Sequence, residues 1–213
     1  PWPNDQAFSK PHWNGWGPGY KNARFQSAAM AKLAPEDLQN LELQWAFAFP
    51  GETVVESHAS VVDGRLFVGS RGASVYSLDA QSGCTHWRFD TDAAVKTAVT
   101  ISKVPHKGKY LAFFGDISGA IYALDAATGK LVWKIYADSH PAARAIGGFQ
   151  YHSGDLYIPV SSLEEGSAAD PNYECCSFRA SLVKVDAATG IVKWKTYVIS
   201  EPPKVTGKNK NGR

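Results

Sequence analysis

The chain has 213 residues, with 44% hydrophobic and 12% aromatic side chains, 19 glycines and a formal net charge of +2. This globular composition excludes an extended polar chain, and so small a charge makes no case for a nucleic-acid partner. No apolar run approaches the roughly 18–20 residues that cross a bilayer, so no membrane span is expected.

Residues 1–45 form an N-terminal segment. Because the chain begins at Pro1, a secretory leader cannot be read from it. Ala34 to Leu41 predicts one or two helical turns, with Pro35 at the start and Glu36 and Asp37 in the first turn. Leu41, Leu43 and Trp45 then alternate, which predicts a strand able to complete the last blade of a closed ring.

A repeat follows. Val75–Phe89, Ile121–Ile135 and Leu182–Thr196 align without gaps on Asp79/Gly83/Trp87, Asp125/Gly129/Trp133 and Asp186/Gly190/Trp194. The Asp side chain can bond the backbone ahead and the Gly supplies positive φ, so each copy predicts a β-hairpin with the Trp on its second strand. In the first and third copies apolar and polar residues alternate, predicting half-buried strands. Ile121–Leu124 is an apolar run, predicting a strand covered on both faces. A second strand pair precedes each hairpin, turning at Asp63-Gly64, around Pro105–Gly108, and at Ser153-Gly154-Asp155. Four short strands per unit predict an all-β propeller with antiparallel blades at about 46–90, 91–137 and 138–200. Three blades do not close a ring, so an incomplete propeller is expected in preference to one completed by another chain. Residues 201–213, rich in Pro, Lys, Asn and Gly, predict an exposed loop.

The third repeat carries an insertion between its second and third strands, from about Ser161 to Ala180, where the others have short turns. Antiparallel geometry puts this loop on the same face as the starts of the innermost strands, beside the channel mouth. It holds Cys175 and Cys176, two of three cysteines. Residue chemistry leaves open a bridge between neighbours, two buried thiols, or partners for other cysteines. Cys84, in a hairpin turn, is expected to be a free, partly buried thiol. Lys96 and Arg144 fall near the starts of innermost strands, as binding cations or as solvated charges. Arg179 is a weaker candidate, and His58 is expected to be a satisfied polar residue. Asp155, Glu164, Glu165, Asp170 and Glu174 read as solvated charges around the insertion. No phosphate loop, nucleophile elbow, zinc motif or haem-attachment motif occurs.

Ala123-x-Asp125-x-x-Thr128-Gly129-Lys130-x-x-Trp133 resembles the tryptophan-docking motif of pyrroloquinoline-quinone (PQQ) dependent alcohol dehydrogenases. Trp13-Asn14-Gly15-Trp16-Gly17, Asn22-Ala23-Arg24-Phe25 and Leu41-x-Leu43-x-Trp45 resemble the opening of the same family, and Val160–Glu165 with Tyr173–Arg179 resemble its polyvinyl-alcohol branch. The resemblance implies an eight-bladed PQQ-type propeller, of which this chain holds about three blades. It implies a periplasmic or secreted quinoprotein that oxidises an alcohol, possibly secondary or polymeric, and passes electrons to cytochrome c. It implies that Cys175 and Cys176 close into a disulfide plate on which PQQ stacks, with Lys96 and Arg144 as cations for its carboxylates. Ca²⁺ ligands and the catalytic base are expected outside this chain, which alone is expected to be inactive. The alternative is a non-catalytic propeller scaffold or protein-binding module, such as an outer-membrane assembly factor, which needs no vicinal cysteines.

Overall fold

The structure is a computed structural model and describes residues 2–3, 6–21, 23–105, 108–204, 206–208 and 212. Asn22 of the opening motif, His106 and Lys107 of the second strand-pair turn, and part of the 201–213 tail lie outside the described residues. The repeats form three antiparallel meanders. The first is β1 (Ser60–Val62), β2 (Arg65–Gly69), β3 (Ser74–Asp79) and β4 (Thr85–Asp90). The second is β5 (Thr100–Val104), β6 (Lys109–Gly115), β7 (Ala120–Asp125) and β8 (Leu131–Tyr136). The third adds a short strand, β9 (Ala143–Arg144), to β10 (Gln150–His152), β11 (Asp155–Ser162), β12 (Ser181–Asp186) and β13 (Val192–Tyr197). β9 pairs with the far end of β11, so the innermost strand of the third blade is broken in two.

The aspartate of the Asp/Gly/Trp triad closes its turn in the same way in each blade. Asp125 Oδ1 accepts the N–H of Ala127 and Thr128 and the Thr128 hydroxyl, at 3.0–3.1 Å. Asp79 and Asp186 make the same set with Gln81 and Ser82, and with Ala188 and Thr189. Gly129 adopts φ +72°, a left-handed conformation that glycine alone takes without cost. It is also a landing pad: a Cβ there would lie 2.8 Å from Cδ2 of Trp87 on the preceding blade. The Trp87 indole N–H donates to the Ala126 carbonyl at 3.1 Å, and Trp133 repeats this on Ala187 at 3.0 Å. Each blade is thus locked to the next by one buried indole. Trp194 has no such neighbour among the described residues and is 39% exposed.

Two cores result. One packs Val75 and Trp87 against Val95, Ile101, Ala112 and Tyr122; the other packs Leu111, Phe113 and Trp133 against Phe149, Leu156, Ile158 and Val183. β7 is buried along its whole length, as its apolar run predicts, and β12 alternates as predicted. β3 differs: it is buried at every position but the last. Its other face is covered by Trp45, Phe47 and Phe49, which pack on Val68, Tyr76 and Leu78.

That cover corrects the expected strand at Leu41–Trp45. The segment is extended, but no described strand pairs with it. Trp45 nevertheless docks as the other indoles do, with Nε1 donating to Ala80 O at 3.1 Å and Cδ2 lying 2.8 Å from a Cβ built on Gly83. Pro35–Asn40 is a 3-10 helix whose first turn is closed by Asp37 accepting the Ala34 N–H at 2.8 Å.

The earlier residues form a strap. The Trp2 indole donates to Asp63 O, and Phe8 stacks on Tyr110, on the face that carries the hairpin turns. The strap then turns inwards along the innermost strands. Trp13 bridges Val61, Asn14 bonds both backbone groups of Ile101 at 2.8 Å, and the Gly15 N–H reaches Ser60 Oγ. Trp16 packs at Gly148, where a Cβ would lie 2.5 Å from its Cδ1.

Candidate functional site

On the opposite face lie the starts of the innermost strands and the connections between second and third strands. In the first two blades these connections are Ser70–Ala73 and Asp116–Gly119; in the third the chain runs from Leu163 to Ala180. The insertion begins with a four-residue helical turn, Glu164–Ser167, and is tied to the preceding connection by Leu163 N–H donating to Ala142 O at 3.3 Å. Cys175 and Cys176 are disulfide-bonded to each other and exposed.

The loop is organised by Glu164, only 4% exposed. Its Oε1 accepts the Tyr173 hydroxyl at 2.8 Å and the Ser177 N–H at 3.0 Å; its Oε2 accepts the Phe178 N–H at 2.8 Å. Burial pushes the carboxyl pKa up. The Ser177 and Phe178 N–H groups, the Tyr173 hydroxyl and nearby His140 outweigh that and hold it below its ordinary value. His140 Nδ1 accepts the Ala142 N–H, so the proton of the neutral ring sits on Nε2, which is 2.9 Å from Ser177 Oγ and 3.9 Å from Glu164 Oε1. Phe178 lies edge-on to the His140 ring.

Arg144 shares this neighbourhood. It sits opposite Ser161 in the β9–β11 pair, so the two side chains leave the sheet on one side. Its Nη1 donates to Pro141 O and Ala143 O at 2.8 and 2.7 Å. Its Nε and Ser161 Oγ are buried and, among the described residues, have no hydrogen-bond partner. Lys96 sits on the connection before, tied to Glu56 at 3.0 Å, and Arg71 approaches the same carboxylate at 3.4 Å. The structure therefore joins Arg144 to the cysteine loop through Ala142 and His140, and joins Lys96 to Glu56 instead. Arg179 is committed elsewhere, stacked 3.7 Å from Tyr197 and donating to Ile199 O and Ser200 O. His58 lies between the Trp13 and Trp16 rings with Nδ1 2.9 Å from Ala59 O, a satisfied residue as expected.

Three expectations are corrected. Glu164 is no solvated charge. Asp155 is buried too, but in the hairpin-turn layer, where it pairs with Lys184 at 2.8 Å and with Lys193 and is held below its ordinary pKa by both. Cys84 is free, as expected, but exposed and not partly buried. Sequence reasoning missed Glu164, His140 and Glu56. Glu164 gave no local signal to set it apart from Glu165, and the Glu56–Lys96 pair joins residues far apart in the chain.

The family model PQQ_2, described as outer membrane protein assembly factor BamB, matches residues 37–209. The chain belongs to the PQQ_2 family. Within and around that family it is 42% identical over 203 residues to a polyvinylalcohol dehydrogenase of Pseudomonas sp, a match covering 94% of this chain and 31% of the relative. It is 40% identical over 203 residues to the enzyme of the same name from Sphingopyxis sp. (strain 113P3), covering 94% of this chain and 30% of the relative. Among solved structures it superposes on quinohemoprotein alcohol dehydrogenase from Comamonas testosteroni with a TM-score of 0.70 at 23% identity, covering 91% of this chain and 28% of that one. That likeness establishes the fold: three blades of a PQQ-type β-propeller. The chain spans about a third of the length of the relatives it matches.

Proposed function

We propose that this chain is part of a quinoprotein dehydrogenase that oxidises a secondary or polymeric alcohol, such as polyvinyl alcohol, with PQQ. The observation that carries the proposal is the exposed Cys175–Cys176 disulfide, on a loop tied through His140 and Ala142 to the connection that leads to Arg144, in a chain 42% identical to a polyvinylalcohol dehydrogenase. Bound there, the cofactor would supply a quinone that accepts hydride from the alcohol. The donors fit a tricarboxylate. Arg144 Nε and Ser161 Oγ lie on one side of the sheet and, among the described residues, have unspent hydrogen-bonding capacity. Cys175 and Cys176 offer an exposed sulfur surface for a flat ring. Lys96 adds positive charge, reduced by Glu56.

Among the described residues, no three or more His, Cys, Asp or Glu side chains gather as a metal site requires. On this reading the Ca²⁺ ligands and the base that takes the alcohol proton come from other blades of the full-length protein. We assign blades to 46–90, 91–137 and 138–200. Residues 1–45 lead into a ring-closing segment whose indole, Trp45, already occupies the docking position, and 201–213 form a connecting loop. Electrons pass to cytochrome c in a periplasmic or secreted setting. No helix among the described residues is long and apolar enough to cross a membrane.

The test is dye reduction by the full-length protein supplied with PQQ, Ca²⁺ and a secondary alcohol. The expected outcome is PQQ-dependent turnover that falls about 100-fold in the Cys175→Ser, Cys176→Ser double variant, since a misplaced ring loses its alignment. No turnover together with no bound quinone absorbance would overturn the proposal in favour of a propeller scaffold, the role named in the family description.

A further inference from the structure

We propose that Glu164 is a positioning residue that holds the Cys175–Cys176 pair in place from both flanks; its use for catalysis rests on the cofactor proposal above. Ordering a long connection costs conformational entropy, and residues 165–172 of this one are exposed and bury little in return. Some interaction must therefore fix the part that carries the disulfide. Glu164 is placed to do so. Its carboxylate takes Tyr173 on the N-terminal side of the pair and the Ser177 and Phe178 N–H groups on the C-terminal side. The cysteines lie between the anchored flanks and point to solvent. Charge-assisted bonds to a buried carboxylate are among the stronger ones available, and a donor left behind without its partner is costly. His140 completes the clamp by bonding Ser177 Oγ, which itself lies 3.5 Å from Glu164 Oε1. The same His140 stands in the connection that leads to Arg144, so one carboxylate keeps the sulfur surface and the cation in register.

The test compares Glu164→Ala, Glu164→Gln and the exposed neighbour Glu165→Gln in the full-length protein. Reduction of the Cys175–Cys176 bridge by dithiothreitol is followed by thiol labelling and peptide mass, and PQQ binding by quinone absorbance. Loss of the clamp is expected to speed reduction about tenfold in Glu164→Ala and to weaken PQQ binding by a similar factor. Glu164→Gln, which keeps the shape and one acceptor, falls between, and Glu165→Gln matches the wild type. If Glu164→Ala does not fold, Glu164→Gln carries the comparison, with near-ultraviolet circular dichroism confirming its fold. Reduction rates within about twofold of wild type in the folded Glu164 variants overturn the proposal. Wild-type protein that binds no PQQ, while the variants still reduce faster, upholds the clamp and removes the cofactor proposal. Normal PQQ binding with unchanged reduction does the reverse.

Discussion

The second and third blades solve the same local problem with the same device, and differ in what they do with it. Each places a buried carboxylate where the second strand ends. In the second blade Asp116, 0% exposed, accepts the N–H of Ser118 and Ala120 at 2.9 and 3.1 Å and the Tyr122 hydroxyl at 2.8 Å. In the third, Glu164 takes two backbone N–H groups and a tyrosine hydroxyl, also at 2.8 Å. The aspartate closes a tight turn on itself. The glutamate, one methylene longer, closes a loop across an insertion and leaves two cysteines projecting from it. The first blade shows the turn without the device: Ser70 N–H bonds Ser74 O, and its hydroxyl has no partner among the described residues. A buried acceptor with spare lone pairs is thus what lets one blade carry a long loop as an ordered structure.

If the devices differ as described, removing them costs stability in different places. Asp116 sits between two packed blades, where nothing can move to rescue its donors. Asp116→Ala should lower the unfolding free energy by about 3 kcal/mol, read from urea denaturation midpoints, because buried donors lose a charged partner. Glu164→Ala should shift the same midpoint less, since its loop can open to water without unpacking a blade. Equal midpoint shifts would break the distinction.

This contrast also marks what the sequence makes legible. The hairpins can be read directly, because Asp79, Asp125 and Asp186 act on residues two and three positions ahead, and such chemistry is visible in local spacing. The second strand pairs are legible for the same reason. The order of blades is implicit in the Trp-to-Gly register, although Trp45 appears only as an alternating strand residue until its indole is seen on Gly83. Glu164 is not legible: its partners lie in an irregular loop of no fixed period, and Glu165 beside it has the same side chain and no role. The strap is legible as a motif but not as a place, because Asn14 meets Ile101 only in the folded ring. β9 is missed because two residues, Ala143 and Arg144, carry no period at all. The insertion itself is legible by length, and with it the face that carries the cysteines.

Acid sharpens the comparison. The pKa of Glu164 is lowered in the folded loop, so its contribution is complete above the ordinary glutamate range, about 4.3, and is lost as pH falls through the depressed folded value. His140 and Tyr173 are the titratable groups that face it. Reduction of the disulfide by a phosphine, normalised to a cystine peptide at the same pH, should therefore stay flat through mild acid. It should accelerate only below the ordinary glutamate range. In Glu164→Gln the acceleration should disappear, leaving a rate raised at every pH. A wild-type rate that already climbs near neutral pH, well above the range in which Glu164 takes up a proton, would remove Glu164 as the source of the pH dependence.

The smallest effects come from the two tyrosines, which are matched in distance and differ in surroundings. Tyr122 is almost fully buried, and its hydroxyl also accepts the Asp92 N–H at 3.2 Å. Burial first, and then the hydroxyl's neighbour Asp116, push its pKa far up. Tyr173 is only half-buried, and its pKa is raised mainly by the bond to Glu164. Tyr122→Phe should cost about 1–2 kcal/mol in denaturation, because water cannot replace the lost donor to Asp116. Tyr173→Phe should leave the midpoint unmoved, since water can reach its place. It should raise the rate of disulfide reduction less than about threefold, because the Ser177 and Phe178 N–H groups still hold Glu164. A Tyr173→Phe effect as large as that of Glu164→Ala would mean that the clamp works from the N-terminal flank alone.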